Sequence, residues 1–335
     1  MTGMSSLLNV ADLRVEFALP ANVRVRALRG IHLQIASGIC YGFLGESGSG
    51  KSTLARALMR LLPPNATCTH GSIDFNGRDL LKINDAELQS YRGKQAALIP
   101  QEPGLALNPV MKVGSQIAEV LRAHNDWPRR RYRTEAESLL ERVGLSSASG
   151  RRMYDAYPHQ LSGGQQQRVL IAQAISCNPQ LIIADEPTAS LDAESATEIL
   201  RLLGELKSER KMALIVVTHD PRILAGLADR VAVLYAGRIV EDAPAGVFFN
   251  APRHPYSQSL LACAAPAPPE WSASHAGRLP TIPGESPDPE RIGAGCEFAP
   301  RCDRRMTQCE SQQPSPTSPS SATDDRRVEC HLYAD

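Results

Sequence analysis

The chain has little that would mark it for a membrane, a nucleic acid or export. None of its apolar runs reaches the roughly 18–20 residues a membrane helix needs. The amino terminus lacks the basic-then-apolar layout of a secretory leader. Its 36 lysines and arginines are matched by 36 aspartates and glutamates, so no excess of positive charge points to nucleic acid. There is no internal repeat. These absences predict a soluble, cytoplasmic chain whose membrane role would run through partners. A length of 335 residues predicts about two domains, and 42% apolar content is enough for a buried core.

Against that background one stretch carries the most information: Gly45-Glu46-Ser47-Gly48-Ser49-Gly50-Lys51-Ser52, followed by Thr53. It fits the phosphate-loop pattern GxxxxGK[ST]. The apolar run Ile39 to Leu44 before it reads as a strand, and Ser52 to Leu62 after it reads as a helix. Glycines let successive backbone N–H groups curl around phosphates, and the helix N-terminus adds a positive dipole end. In that setting Lys51 holds the β- and γ-phosphates and Ser52 ligates Mg²⁺. The reactive ligand is thereby a nucleoside triphosphate.

Three regions follow along the chain. Up to about residue 95, short alternating runs such as Asp12 to Phe17 and Ser72 to Phe75 read as strands, the second ending in the turn signal Asn76-Gly77. Residues from about 100 to 170 are helix-biased, as in Val113 to Ala123 and Arg133 to Val143. From 171 to 247 strands and helices alternate: Gln180 to Ala184, Ala193 to Leu206, Ala213 to Val217, then Leu224 onward. Such alternation implies parallel strands crossed by helices. Beyond Asn250, the Ala/Pro-rich stretch Ala264 to Pro269 and the Ser/Pro/Gln-rich stretch Ser311 to Thr323 read as extended, poorly ordered linkers.

The strand Leu181 to Ala184 ends in two carboxylates, Asp185 and Glu186. Asp185 is placed to hold the Mg²⁺ shell and Glu186 to polarise the attacking water. Two acids there also suit a helix N-terminus, but Pro187-Thr188-Ala189-Ser190-Leu191-Asp192 follows them. Leu161-Ser162-Gly163-Gly164-Gln165 resembles the signature motif of ABC-type ATPases, although alone it would also make a helix cap at Ser162. Gln101 matches that family's Q-loop glutamine and His219, in Val217-Thr218-His219-Asp220, its switch histidine. The set appears in the family's order over residues 1 to about 250.

The resemblance implies an α/β fold: a P-loop ABC ATPase core with a mixed, largely parallel sheet, an antiparallel β subdomain and a helical subdomain at about 100–170. A small cysteine-containing extension, 251–335, would follow the nucleotide-binding domain at 1–250. It further implies a head-to-tail pair, each ATP lying between one protomer's phosphate loop and the other's Leu161–Gln165 signature. Gly45 to Thr53 would bind ATP, with Ser52, Gln101 and Asp185 as Mg²⁺ ligands and Glu186, Gln101 and His219 as the catalytic group. Family members stack an aromatic on adenine near the end of the first strand. Phe17 is the nearest match, with Val25 and Arg26 as alternatives, and base selectivity stays open.

A narrower resemblance, to the oligopeptide/dipeptide importer branch, covers nearly the whole chain. It rests on Gln101-Glu102-Pro103 with Leu107-Asn108-Pro109, and on Tyr157-Pro158-His159-Gln160 before the signature. In the tail it rests on His254-Pro255-Tyr256-Ser257, Leu260-Leu261, Ile282-Pro283-Gly284 and Gly295 to Cys302. It implies a peripheral ATPase on the cytoplasmic face of the cell membrane, driving two permeases fed by an extracytoplasmic solute-binding protein. The dimer partner would be a second copy or a second ATPase subunit, with no nucleic acid involved. The cargo would be peptides or related small solutes. The helical segment around Leu105 to Ile117, next to the Gln101 hinge, would receive a permease helix. The other readings are a soluble ABC ATPase acting on nucleic acid or ribosomes, and a metal-sensing regulator.

Eight cysteines divide into two groups. Cys40, Cys68, Cys177 and Cys263 stand singly and read mostly as small buried thiols. Cys296, Cys302, Cys309 and Cys330 crowd the last forty residues, and in a reducing compartment such a cluster points to a metal centre rather than disulfides. None is spaced as a Cys-x-x-Cys zinc knuckle. Four thiolates ligate a [4Fe–4S] cluster whatever the loops between them, and some importers of the resembling branch carry one in this tail. Zinc and free or incidental thiols are the alternatives, and His331 beside Cys330 reads as a surface histidine or an alternative ligand. The role would be a structural staple.

Overall fold

Short apolar runs, punctuated by glycine and proline, set the order of this fold. The computed structural model describes residues 6–20, 23–145, 153–265, 281–317 and 325–334. They group into two compact units. One is drawn from Met1–Leu8, Ile35–Cys40 and Asp74–Val217, the other from Asn9–Gln34, Tyr41–Ile73 and Thr218–Asp335. Among the described residues no helix is long and apolar enough to cross a membrane.

β1 (Ser6–Ala18) and β2 (Arg24–Ala36) mix buried and exposed positions, as strands with one face to the core do. β3 (Cys40–Leu44) differs in that all five residues are buried, the pattern of a parallel strand covered on both faces. The phosphate loop and α1 (Lys51–Leu58) follow. β4 (Ala66–Phe75) continues the sheet in the order β2-β1-β4. Helix α1 ends four residues before the expected Leu62. Arg60 turns to a left-handed φ of 52°, and Pro63-Pro64 just beyond cannot continue a helix. Asn76 and Gly77, at φ 53° and 79°, close a hairpin from β4 to β5 (Arg78–Asp79), as the Asn-Gly pair predicts.

In the unit built mainly from 74–217, α2 (Asp85–Lys94) is closed by a capping box. The Asn84 side chain accepts from the Glu87 N–H at 3.0 Å and the Glu87 carboxylate from the Asn84 N–H at 3.1 Å. β6 (Ala96–Ile99) leads into α3 (Pro103–Ala106), α4 (Val113–His124), α5 (Arg129–Arg142) and α6 (Gly163–Ile175). α4 buries Val113, Ile117, Ala118 and Leu121, a helical stripe, and packs with α5 and α6. α5 begins at Arg129, four residues before the expected start, directly after Pro128. β7 (Leu181–Asp185), α7 (Ala193–Arg210) and β8 (Ala213–Thr218) complete the alternation. β6, β7 and β8 run parallel, with Ile99 opposite Ala184 and Asp185 opposite Val217.

In the other unit, α8 (Pro221–Leu224) precedes β9 (Arg230–Tyr235), which runs parallel to β3 and antiparallel to β10 (Arg238–Pro244). α9 (Ala245–Asn250) and α10 (Pro255–Ala264) follow, and the chain end returns as β11 (Arg327–Val328) beside β10. Two residues are too few to show as a strand pattern, so the sequence reading misses this return. Buried Asp242 on β10 accepts from the Tyr41 hydroxyl at 2.6 Å and from Arg230 Nε at 2.8 Å. The stretch expected as a linker from Ser311 is stitched down at Thr317, which exchanges both backbone hydrogen bonds with Val328, at 2.9 and 3.0 Å. The remaining expected linker positions, 266–269 and 318–323, lie outside the described residues.

Candidate functional site

The phosphate loop is shaped by what a side chain would hit. A Cβ on Gly45 would stand 2.3 Å from the Leu234 carbonyl oxygen, and one on Gly50 2.9 Å from the Ala27 carbonyl oxygen. Both glycines hold positive φ, 152° and 104°. Lys51 is 6% exposed and curls back over the loop: its Nζ donates to the Gly45 and Glu46 carbonyls, each at 2.8 Å, and to Ser49 Oγ at 3.4 Å. Ser47 and Gly48 are exposed at the loop's tip, and Ser52 and Thr53 are half-buried on the first turn of α1. The arrangement suits a bound anion at a helix N-terminus. Phe17 is half-buried on β1. A cavity of about 260 Å³ in the same unit is lined by Arg14, Glu16, Arg26, Leu28, Arg29 and Arg238, with no aromatic among them. His219, also in this unit, is exposed directly after β8.

Gln101, the signature, Asp185 and Glu186 belong to the other unit. Asp185 ends β7 at 6% exposure and Glu186 is 8% exposed. Glu186 takes a left-handed φ of 49°, unusual for a residue with a side chain, while its N–H donates to the Val217 carbonyl at 2.9 Å. Such a conformation costs on the order of 1–3 kcal/mol and clusters at functional sites. Gln101 is exposed two residues after β6. Ser162 caps α6: its Oγ accepts from the Gln165 N–H at 3.3 Å, and Gln165 Oε1 accepts from the Ser162 N–H at 3.0 Å. The helix-cap reading of the motif therefore holds, and Ser162 and Gly163 are exposed besides.

In the tail, Cys296, Cys302, Cys309 and Cys330 line one pocket, together with His254, Phe298, Arg304 and His331. The space among them is about 10 Å³, room for little more than one water-sized body. No group of three or more His, Cys, Asp or Glu among the described residues stands in a metal-holding arrangement. Burial pushes the Cys296 thiol up to about 12, helped by Cys309 and Cys330, and also raises Cys302 and Cys330. His331 Nε2 lies 2.8 Å from the Gln312 carbonyl, which leaves that nitrogen engaged with backbone. Of the four scattered cysteines only Cys40 is buried; Cys68 and Cys177 are half-buried and Cys263 is exposed, so burial explains fewer of them than expected.

Two residues that the motifs did not mark as site residues, Tyr256 and Arg301, touch Glu46 of the phosphate loop. The signal was present: both lie in tail segments singled out in the sequence, His254 to Ser257 and the run ending at Cys302.

Known proteins resemble this chain over most of its length. Residues 28–189 match the ABC transporter family, and residues 240–309 match the oligopeptide/dipeptide transporter, C-terminal region. The chain is 43% identical over 309 residues to the oligopeptide transport ATP-binding protein OppD of Escherichia coli K12, covering 92% of this chain and 89% of that one. It is 39% identical over 330 residues to the dipeptide transport ATP-binding protein DppD of the same organism, covering 98% of each. Among solved structures it resembles a dimeric post-hydrolysis state of the ATP-binding cassette MJ0796 bound to ADP and Pi, with a TM-score of 0.63 and 28% identity. That match covers 71% of this chain and 98% of that one. The fold is that of an ABC cassette, and the chain belongs to the ABC transporter ATPases, in the branch that contains the oligopeptide and dipeptide transport ATP-binding proteins.

Proposed function

We propose that this chain is the ATP-hydrolysing subunit of a peptide importer, driving two partner permeases from the cytoplasmic face of the membrane. The observation that carries this is the match, in one chain, to the ABC transporter family over residues 28–189 and to the oligopeptide/dipeptide transporter C-terminal region over residues 240–309. The relatives named above are transport proteins, which removes the ground for the rival reading, an ATPase acting on nucleic acid or ribosomes. Peptides are the cargo class, delivered by an extracytoplasmic binding protein. Residues 1–250 form the nucleotide-binding domain and 251–335 an extension to it.

In this reading Gly45 to Thr53 cradle the triphosphate, and Lys51 leaves its loop carbonyls for the β- and γ-phosphates. Ser52, Gln101 and Asp185 would hold Mg²⁺, which would offset the charge of the phosphates. Glu186 takes a proton from water as its oxygen attacks the γ-phosphorus and ADP departs, with His219 and Gln101 orienting the reacting groups. Leu161 to Gln165 serve the ATP of the partner, where Ser162 Oγ–H and the N–H groups of Gly163 and Gly164 meet the γ-phosphate. The dimeric MJ0796 cassette supports such a pair, formed with a second copy or a related ATPase. The permease helix rests on Leu105 and Val110, 81% and 83% exposed. Leu107, at 2%, faces the core instead.

In this reading Cys296, Cys302, Cys309 and Cys330 would hold a [4Fe–4S] cluster, with zinc or free thiols as the alternatives. The donor set fits that chemistry, and its convergence on one pocket supports it; loading requires the thiols to lose their protons and spread outward. When bound, the group would staple a segment too poor in apolar residues to hold itself.

The test of the ATPase assignment is Glu186→Gln. ATP binding should persist while steady-state hydrolysis falls at least a hundredfold, the upper range for losing a general base. Turnover at the wild-type rate would remove Glu186 from the role.

A further inference from the structure

Every polar group of Glu46 is engaged, and each bond leads somewhere different. Its carboxylate receives both arms of the Arg301 guanidinium, at 2.6 and 3.0 Å. Its backbone N–H donates to the Tyr256 hydroxyl at 2.7 Å, and its carbonyl accepts from Lys51 Nζ at 2.8 Å. The first two partners come from the carboxy-terminal extension and the third is the phosphate lysine. Arg301 is itself fixed: its side chain is 4% exposed, Nε donates to the Pro283 carbonyl at 2.8 Å, and the first arm also reaches the Tyr235 hydroxyl at 3.3 Å. A two-armed guanidinium–carboxylate pair adds directional rigidity to charge attraction. Glu46, with 29% of its side chain exposed, would without Arg301 hold an uncompensated negative charge on a loop that must receive a polyanion.

We infer that Arg301 is a positioning residue of the nucleotide site, through which the cysteine-rich extension holds Glu46 and the loop backbone on either side of it in the arrangement that accepts the triphosphate, while Lys51 leaves the Glu46 carbonyl to reach that ligand. Arg301 ends the short turn Ala299–Arg301, directly before Cys302. The thiol pocket and the phosphate loop are thus served from one turn of chain. The wording of the tail also gains a purpose: Pro283 anchors the guanidinium, and His254, by capping α10 through Nδ1 and the Tyr256 N–H at 3.1 Å, sets the tyrosine in place.

The experiment is a double-mutant cycle in the full-length protein, reading the Kd of a non-hydrolysable ATP analogue with Mg²⁺. Arg301→Ala should weaken binding about tenfold, which is about 1.4 kcal/mol. Glu46→Gln should cost less than about threefold, because it removes the charge that Arg301 neutralises. In the Glu46→Gln background, Arg301→Ala should add less than about twofold, a coupling that contact residues display and independent ones do not. In steady-state assays KM for ATP should rise while kcat at saturating ATP stays within about twofold, as expected when ground-state and transition-state binding fall together. If Arg301→Ala does not fold, Arg301→Lys takes its place in the same cycle, with an expected loss of about threefold confined to the Glu46 background. An unchanged Kd, an equal loss in both backgrounds, or a loss carried by kcat alone would overturn the assignment.

Discussion

The buried histidine beside the phosphate-loop brace makes stability fall with acid in a way that can be calculated. His254 is 1% exposed. Its Nδ1 accepts from the Tyr256 backbone N–H at 3.1 Å, and the His254 backbone N–H donates to Glu241 Oε2 at 2.9 Å. An Nδ1 that accepts carries no proton, so protonating it would set a donor against a donor at the head of α10. Burial, with Arg304 adding to it, pulls the imidazole down to about 3. In the unfolded chain it titrates near 6.5. Between those values the unfolded state binds more protons, so stability present at neutral pH is lost as pH falls below 6.5. At pH 5, 1.5 units below the unfolded value, the loss is about 2 kcal/mol at 1.36 kcal/mol per unit. His254→Asn keeps an acceptor for the Tyr256 N–H and does not titrate. Urea unfolding of both proteins at pH 7.5 and pH 5.0 isolates the term, since the other groups titrate alike in each. The wild type should lose about 2 kcal/mol more than the variant, and equal losses would refute the argument.

Leu105→Asp and Val110→Asp, placed at 81% and 83% exposure, should leave stability within about 0.5 kcal/mol, as surface changes do. They should spare basal ATPase activity and cut transport in reconstituted vesicles by at least about tenfold; unchanged transport would take the permease contact away from this segment. Protein purified without oxygen should carry iron and sulfide near four atoms each per chain in the cluster reading. Retention should weaken as pH falls, because the raised thiols must lose protons to bind. Metal-free, sulfide-free protein would end that reading.

Much of the nucleotide chemistry was legible because it is local in sequence. A phosphate loop needs its glycines, lysine and hydroxyl at fixed short spacings, so Gly45 to Ser52 announce themselves, and the hairpin at Asn76-Gly77 follows from two adjacent residues. Parallel strands were legible because burial on both faces forces unbroken apolar runs such as Leu181 to Ala184. What stayed hidden depends on long-range contact. β11 is two residues long and becomes a strand only beside β10. The Arg301–Glu46 pair joins positions 255 residues apart, and nothing local distinguishes Arg301 from Arg304 or Arg305. The left-handed turn at Glu186 was hidden for a related reason, since its N–H finds the Val217 carbonyl of a neighbouring strand rather than a partner nearby in the chain. Leu107 was expected near the permease groove by its place in a recognisable motif, yet it is 2% exposed while Leu105 and Val110 face out.

The central claim, that this ATPase energises peptide import through separate membrane subunits, is tested most directly by its partners. Tagged Glu186→Gln protein would be isolated in gentle detergent from its native host with ATP present, and every stoichiometric companion identified. The account predicts two multi-span permeases, with either a second copy of this chain or one related ATPase. Ribosomal or other soluble partners in their place would contradict it, leaving the nucleotide chemistry without the transport role.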